Sequence, residues 1–174
     1  MEDIIYCQAD IPKEQWKYGL RSSAATGCGW IAAYNALRLI GYTAEPEEVI
    51  AAFQHQLPVI HGNLGTTILA PAFYFKKRGF RADWTAREDR FDVFAKEYPV
   101  CILFYRWLGK WKFGAHFVAL RWDGETFWGY NTYTNSKGPD YYGKSLAGYL
   151  KRKKYFGPVL MGIRPGKELT WSEN

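Results

Sequence analysis

The stretch Thr26-Gly27-Cys28-Gly29-Trp30-Ile31-Ala32-Ala33-Tyr34-Asn35-Ala36-Leu37 limits what this chain can fold into more than any other. Two glycines bracket a cysteine. Small and apolar residues with good helix propensity follow from Ile31 to Ile40, closed by Gly41. The pattern predicts a loop that turns abruptly into a helix, with Cys28 at or near the first turn and Gly41 at the stop. Apolar residues fall on nearly every side of that helix, so it should be buried. Free N–H groups and the macrodipole at a helix start favour negative charge. A cysteine placed there is expected to ionise more easily, and the thiolate is its reactive form. One reading is therefore a nucleophile on a rigid mount. The other is a small buried cysteine packed in the core.

The totals fit a soluble globular chain. Its 174 residues match one domain spanning 1–174, with 48% hydrophobic and 23% charged residues. That length buries a core without disulfides or a metal. No run approaches the roughly eighteen apolar residues needed to span a membrane. The segment Met1 to Gln8 carries acids where a secretory signal carries lysines, so the expectation is a cytoplasmic protein if Met1 is the true start. Export by a non-classical route is compatible with the same residues. Cys7, Cys28 and Cys101 form no disulfide framework. Cys101 sits in Pro99-Val100-Cys101-Ile102-Leu103-Phe104, a buried strand by composition, and is read as structural. Much of the net charge of +6 lies in Lys151-Arg152-Lys153-Lys154. Such a run is usually a solvated helix face, so no nucleic-acid partner is expected. Salt-dependent nucleic-acid binding through this run with Tyr155 and Phe156 is a distant alternative.

Along the chain, residues 4 to 10 look extended and an irregular stretch leads to Ser22 and Ser23. Further helices are predicted from Glu45-Pro46 through Phe53, from Thr67 to Arg78, and from Glu88 to Glu97. His55 to Gly62 reads as a loop around Pro58. Strands are predicted at Phe80 to Trp84, Val100 to Trp107, Ala115 to Trp122, Thr126 to Tyr133 and Val159 to Ile163. Asn135 to Gly143 reads as a loop. Ser145 to Tyr155 reads as an amphipathic helix or a long hairpin connection. Helices fill the first half and antiparallel strands the second, which is the α+β class.

A cysteine nucleophile needs a base, and the base needs an orienting partner. His55 and His61 have a spacing that fits neither one helical face nor a zinc motif, so no metal site is expected from them. His116 opens the strand Ala115-His116-Phe117-Val118-Ala119-Leu120. A hairpin turning at Asp123-Gly124 sets His116 opposite Asn131, with Cβ atoms about 4.5–5.5 Å apart. The Asn131 side-chain oxygen would then accept a bond from one imidazole nitrogen and fix the ring's tautomer, leaving the other nitrogen for the thiol. The competing readings are a satisfied half-buried histidine and an asparagine capping backbone. An oxyanion would need donors. The Cys28 N–H is one candidate and the Gln8 side chain another, although Gln8 by itself is an ordinary residue.

The order Gln8, Cys28, His116, Asn131 resembles the papain-like cysteine peptidases. Tyr6-Cys7-Gln8-Ala9-Asp10, Tyr18-Gly19, Thr26-Gly27-Cys28-Gly29 and Gly114-Ala115-His116-Phe117-Val118 look most like the bacteriocin-processing, double-glycine peptidase-like group of bacteria. The resemblance covers about residues 6 to 132. It implies the papain-like fold, with the Cys helix packed on an antiparallel sheet, and a thiolate–imidazolium pair. It also implies a catalytic set of Cys28, His116, Asn131 and Gln8, with Gln8 in the oxyanion hole and no cofactor. Two departures stand out. Trp30 replaces a common Pro and would fill the cleft beside the nucleophile. Asn131 stands where Asp is frequent. The expected function is a cysteine peptidase or amide hydrolase acting on a peptide or peptide-like substrate through an acyl-enzyme. The same machinery would serve an acyltransferase, a transpeptidase or a cell-wall amidase. A non-catalytic peptide-binding module of the same fold is the remaining alternative. Nothing in the sequence fixes the oligomeric state.

Overall fold

A computed structural model describes residues 4–55, 66–109 and 113–167. Its centre is a six-stranded antiparallel sheet in the order β3-β8-β4-β5-β6-β7. The strands are β3 (Arg81–Thr85), β4 (Val100–Leu108), β5 (Phe113–Trp122), β6 (Phe127–Tyr130), β7 (Asp140–Gly143) and β8 (Phe156–Arg164). A short hairpin of β1 (Lys17–Tyr18) and β2 (Arg21–Ser22) precedes a single helical turn, α1 (Ser23–Thr26). Then come α2 (Cys28–Leu39), α3 (Pro46–Gln54) and α4 (Ala70–Lys77). Two more helices, α5 (Phe91–Lys96) and α6 (Leu146–Lys153), lie between strands. The fold is α+β, with a helical N-terminal half packed on a sheet from the C-terminal half.

Alternation along β4 divides the core. Val100, Ile102 and Phe104 point to one face, where they meet α2, α3 and α4. Cys101, Leu103 and Tyr105 point to the other, where they meet Phe91 of α5 and Leu146, Tyr149 and Leu150 of α6. Cys101 is thus buried and structural. The apolar periphery of α2 explains its position: Trp30, Ile31, Ala32, Ala33 and Ala36 have no exposed surface, and the helix lies directly on β5 and β4. Its alanines let the sheet approach closely. Gly41, at φ +83, ends it as expected.

Several expectations need correction. Residues 8–10 form a 3₁₀ turn rather than continuing an extended segment. The stretch before Cys28, read as irregular, holds the β1–β2 hairpin and α1. Part of the predicted loop Asn135 to Gly143 is the edge strand β7. The predicted strand Thr126 to Tyr133 stops at Tyr130, because Asn131 turns to φ +66 and leaves the sheet. His61 and most of the loop around Pro58 lie outside the described residues.

The hairpin register is also off by two. Ala119 pairs with Tyr130 and Trp122 with Phe127, so His116 does not sit opposite Asn131 in the ladder. The cause is the turn. The Asp123 carboxylate accepts the N–H groups of Glu125 and Thr126 at 2.8 Å each and the Trp128 indole N–H at 2.6 Å. These bonds hold the Asp123 carboxyl down at about 2 and centre the turn on Gly124 and Glu125, one residue later than Asp123-Gly124, with the Asp123 N–H closing it on the Thr126 carbonyl at 3.2 Å.

Candidate active site

Four separate segments meet at one cavity of about 580 Å³. Gln8 comes from the N-terminal 3₁₀ turn, Cys28 from the first residue of α2, His116 from β5, and Asn131 from the residue after β6. The N-terminal segment reaches the cavity because α2 holds it. Asn35, fully buried in that helix, accepts the Ile5 N–H at 3.0 Å and donates to the Ile5 carbonyl at 2.8 Å. Further along, the Cys7 thiol donates to the Thr134 carbonyl at 3.2 Å, and Lys137 pairs with Asp10 at 2.8 Å on the surface.

Two glycines seat the cysteine. A Cβ on Gly27 would lie 2.6 Å from the Ser23 carbonyl oxygen and 2.7 Å from the Trp30 indole nitrogen. A Cβ on Gly29 would overlap the Thr66 side chain, whose hydroxyl bonds Tyr18 at 3.0 Å. The Gly-Cys-Gly pattern therefore answers to close packing on both sides of Cys28. Trp30 does not enter the cleft as expected. It points into the core with no exposed surface and donates to the Ser23 hydroxyl at 3.1 Å.

The expected easy ionisation of Cys28 is corrected too. The residue is half-buried and lines the cavity. Burial pushes the thiol up to about 11, and this outweighs the backbone N–H groups of Phe117, Gly29 and Cys28 that favour the thiolate. Burial also holds His116 below its ordinary 6.5, against the opposing pull of the Asn131 carbonyl. Burial thus favours the neutral thiol and the neutral imidazole over an ion pair. Among the described residues the two make no hydrogen bond to each other, although both line the cavity. Catalytic hydrogen bonds are often long in unliganded sites and tighten in the complex.

The ring's partner is the main chain of Asn131. His116 Nε2 lies 2.6 Å from the Asn131 carbonyl oxygen. That oxygen can only accept, so Nε2 carries the proton and Nδ1 keeps its lone pair. The Asn131 side chain, expected on the imidazole, serves Gln8 instead. Its Oδ1 accepts the Gln8 backbone N–H at 2.8 Å, and its Nδ2 donates to Gln8 Oε1 at 3.3 Å. Gln8 Nε2 donates one proton to the Ala24 carbonyl at 3.1 Å and has a second to offer. The Cys28 N–H, at the first turn of α2, is a second candidate donor.

Sequence reasoning missed one wall of the cavity, formed by Tyr105, Trp107 and Tyr155. The alternation along β4 could have found the first two, since residues 101, 103, 105 and 107 share a face. Tyr155 follows Lys154, which caps α6 in the left-handed conformation, and no pattern in the sequence marks it.

No protein-family model matches the chain, and no curated protein matches it significantly. Solved structures do. One is the peptidase domain of Streptococcus ComA, a bifunctional ABC transporter involved in a quorum-sensing pathway. It is 13% identical over 81% of this chain and 93% of that one, with a TM-score of 0.53. Another is a double-glycine-motif protease from an AMS/PCAT transporter, in complex with its leader peptide. It is 15% identical over 93% of this chain and 96% of that one, again with a TM-score of 0.53. In fold, this chain is similar to the papain-like peptidase domains of transporters, one of them a double-glycine-motif protease.

Proposed function

We propose that this chain is a thiol peptidase or amide hydrolase. The observation that carries the reading is the convergence of Gln8, Cys28, His116 and Asn131, from four separate segments, on one cavity. His116 Nδ1 takes the thiol proton as Cys28 Sγ attacks the substrate carbonyl. Proton and sulfur move together, because burial favours the neutral form of each group. The second Gln8 Nε2 proton and the Cys28 N–H receive the oxyanion. The C–N bond then breaks, the departing nitrogen takes the proton from His116, and water releases the acyl group from Cys28 with His116 again as base. The peptide class of substrate is supported by the leader peptide bound to the similar transporter protease.

The test is incubation of the purified chain with a defined peptide mixture, read by mass spectrometry. The reading predicts new peptide ends that vanish in Cys28→Ala and in His116→Ala. Cleavage that survives Cys28→Ala, or none by the wild type across the mixture, contradicts it.

A further inference from the structure

The cavity has an asymmetric lining. Ala9, Ala24 and Ala25 contribute small side chains, while Tyr105, Trp107 and Tyr155 contribute rings. Among the described residues, no Asp, Glu, Lys or Arg side chain lines it. The rings are built around His116. The Tyr105 ring meets the imidazole edge-on with centroids 6.1 Å apart. Tyr155 stacks on Tyr105 at 4.2 Å with an 8° interplanar angle. Trp107 pairs with Gly114, two residues before His116 on the same face of β5, and its indole covers that glycine so closely that no Cβ fits there.

The chemistry says which part of a substrate such a wall meets. On the reading proposed above, the departing nitrogen must approach His116 to collect its proton. The residue attached to that nitrogen then lies against whatever packs around the imidazole. We infer that Tyr105, Trp107 and Tyr155 form a subsite for the leaving-group residue, and that it takes a neutral aromatic side chain. Flat rings at offset or edge geometry are the natural partners of such a wall. A cationic residue, which also favours aromatic faces, is disfavoured by its surroundings. Lys151, Arg152, Lys153 and Lys154 immediately precede Tyr155, and the Lys153 ammonium lies 5.1 Å from the ring of Tyr133, another cavity residue.

The test uses acyl transfer, which reads this subsite separately from acylation. N-acetylglycine p-nitrophenyl ester acylates Cys28: the S–C bond forms, the C–O bond breaks, and p-nitrophenol leaves. The thioester then partitions between water and an added amino-acid amide. When the amide wins, its nitrogen bonds the carbonyl, the C–S bond breaks, and its proton passes through His116 to the sulfur. The product ratio is measured with glycinamide, leucinamide, lysinamide and phenylalaninamide. Phenylalaninamide should capture the acyl group at least about tenfold better than glycinamide and better than lysinamide, consistent with one aromatic contact plus the area it covers. Trp107→Leu, which keeps apolar cover over Gly114, should bring the phenylalanine-to-glycine ratio to within about threefold of one, and Trp107→Phe should restore it. A flat wild-type ratio, a preference for lysinamide, or a ratio unmoved by Trp107→Leu overturns the subsite while leaving the thiol mechanism intact. If no acyl group is found on Cys28, the proposed function falls and the subsite falls with it.

Discussion

The side-chain amide of Asn131 pairs with both the backbone N–H and the side-chain oxygen of Gln8, at 2.8 and 3.3 Å. The same residue presents its main-chain carbonyl to His116 at 2.6 Å. One buried asparagine thus ties the proposed oxyanion donor to the proposed base, using different atoms for each. Its φ of +66 makes this possible, and Asn tolerates that conformation better than most residues.

This division of labour predicts different consequences for two substitutions. Asn131→Gly accepts the positive φ and keeps the carbonyl, so His116 should retain its Nε2–H tautomer in nitrogen-detected NMR. Gln8 would lose its clamp, and hydrolysis should fall toward the level of Gln8→Ala, about 10²–10³-fold. Combining the two should cost little more than either alone. Asn131→Ala should also lose stability, by about 1–3 kcal/mol in urea unfolding, because alanine is strained at that φ. A changed His116 tautomer in Asn131→Gly would show that the side chain orients the ring after all.

The buried pair sets the pH behaviour. His116 is the active base when neutral, and burial lowers its pKa, so the acid limb of kcat/KM should fall below pH 6.5. Stability follows the same group in the same direction. Below pH 6.5 the unfolded chain takes up a proton that the folded site resists, so stability declines as pH falls through that value. Cys28 acts at the other end. Its thiol is raised from 9.0 to about 11, so the unfolded chain ionises first and stability is lost as pH rises from about 9 towards 11. That loss is about 2–3 kcal/mol once both states are ionised. Iodoacetamide alkylation of Cys28 in the free protein should rise into the alkaline range. A plateau of fast alkylation at mildly acidic pH would instead reveal a resting ion pair.

Packing around the nucleophile predicts a stability effect from a single methyl group. In Gly27→Ala the new Cβ meets the Ser23 carbonyl, a backbone atom inside α1 that cannot step aside cheaply. The expected cost is about 1–3 kcal/mol, read as a lower urea midpoint with an unchanged slope. Gly138→Ala, where a Cβ meets nothing within 4 Å, is the control and should change little.

Trp30 was placed by sequence in the cleft and by structure in the core. Trp30→Ala should therefore cost about 3–5 kcal/mol of stability, as expected for a large buried side chain. The acyl-transfer ratios among amides should stay as in the wild type at temperatures where the variant is folded. A shift in those ratios would return Trp30 to the cleft.

What could be read in the sequence was what local physics decides. Gly-Cys-Gly before an apolar run, Pro46 after Glu45, and alternation through β4 and β5 each fixed an element with little help from the rest of the chain. The roles inside the site were harder. The His116–Asn131 relation rests on a turn at Asp123-Gly124, whereas the Asp123 carboxylate moves the turn to Gly124-Glu125, and the left-handed turn at Asn131 swaps side chain for main chain. The thiol's pKa depended on burial by elements distant in sequence, which outweighs the helix start that sequence does show. Tyr155 joins the cavity wall only because Lys154 ends α6 in a left-handed turn.

The central claim is that Cys28 carries the acyl group and His116 moves the proton. Stopped-flow release of p-nitrophenol from N-acetylglycine p-nitrophenyl ester, with peptide mapping of the adduct, tests it directly. The account predicts a burst with the acetylglycyl group on Cys28 and not on Cys7 or Cys101. It also predicts a burst rate at least about a hundredfold lower in His116→Ala, the lower range for a positioned acid–base group. An adduct elsewhere, or a burst untouched by His116→Ala, would contradict it.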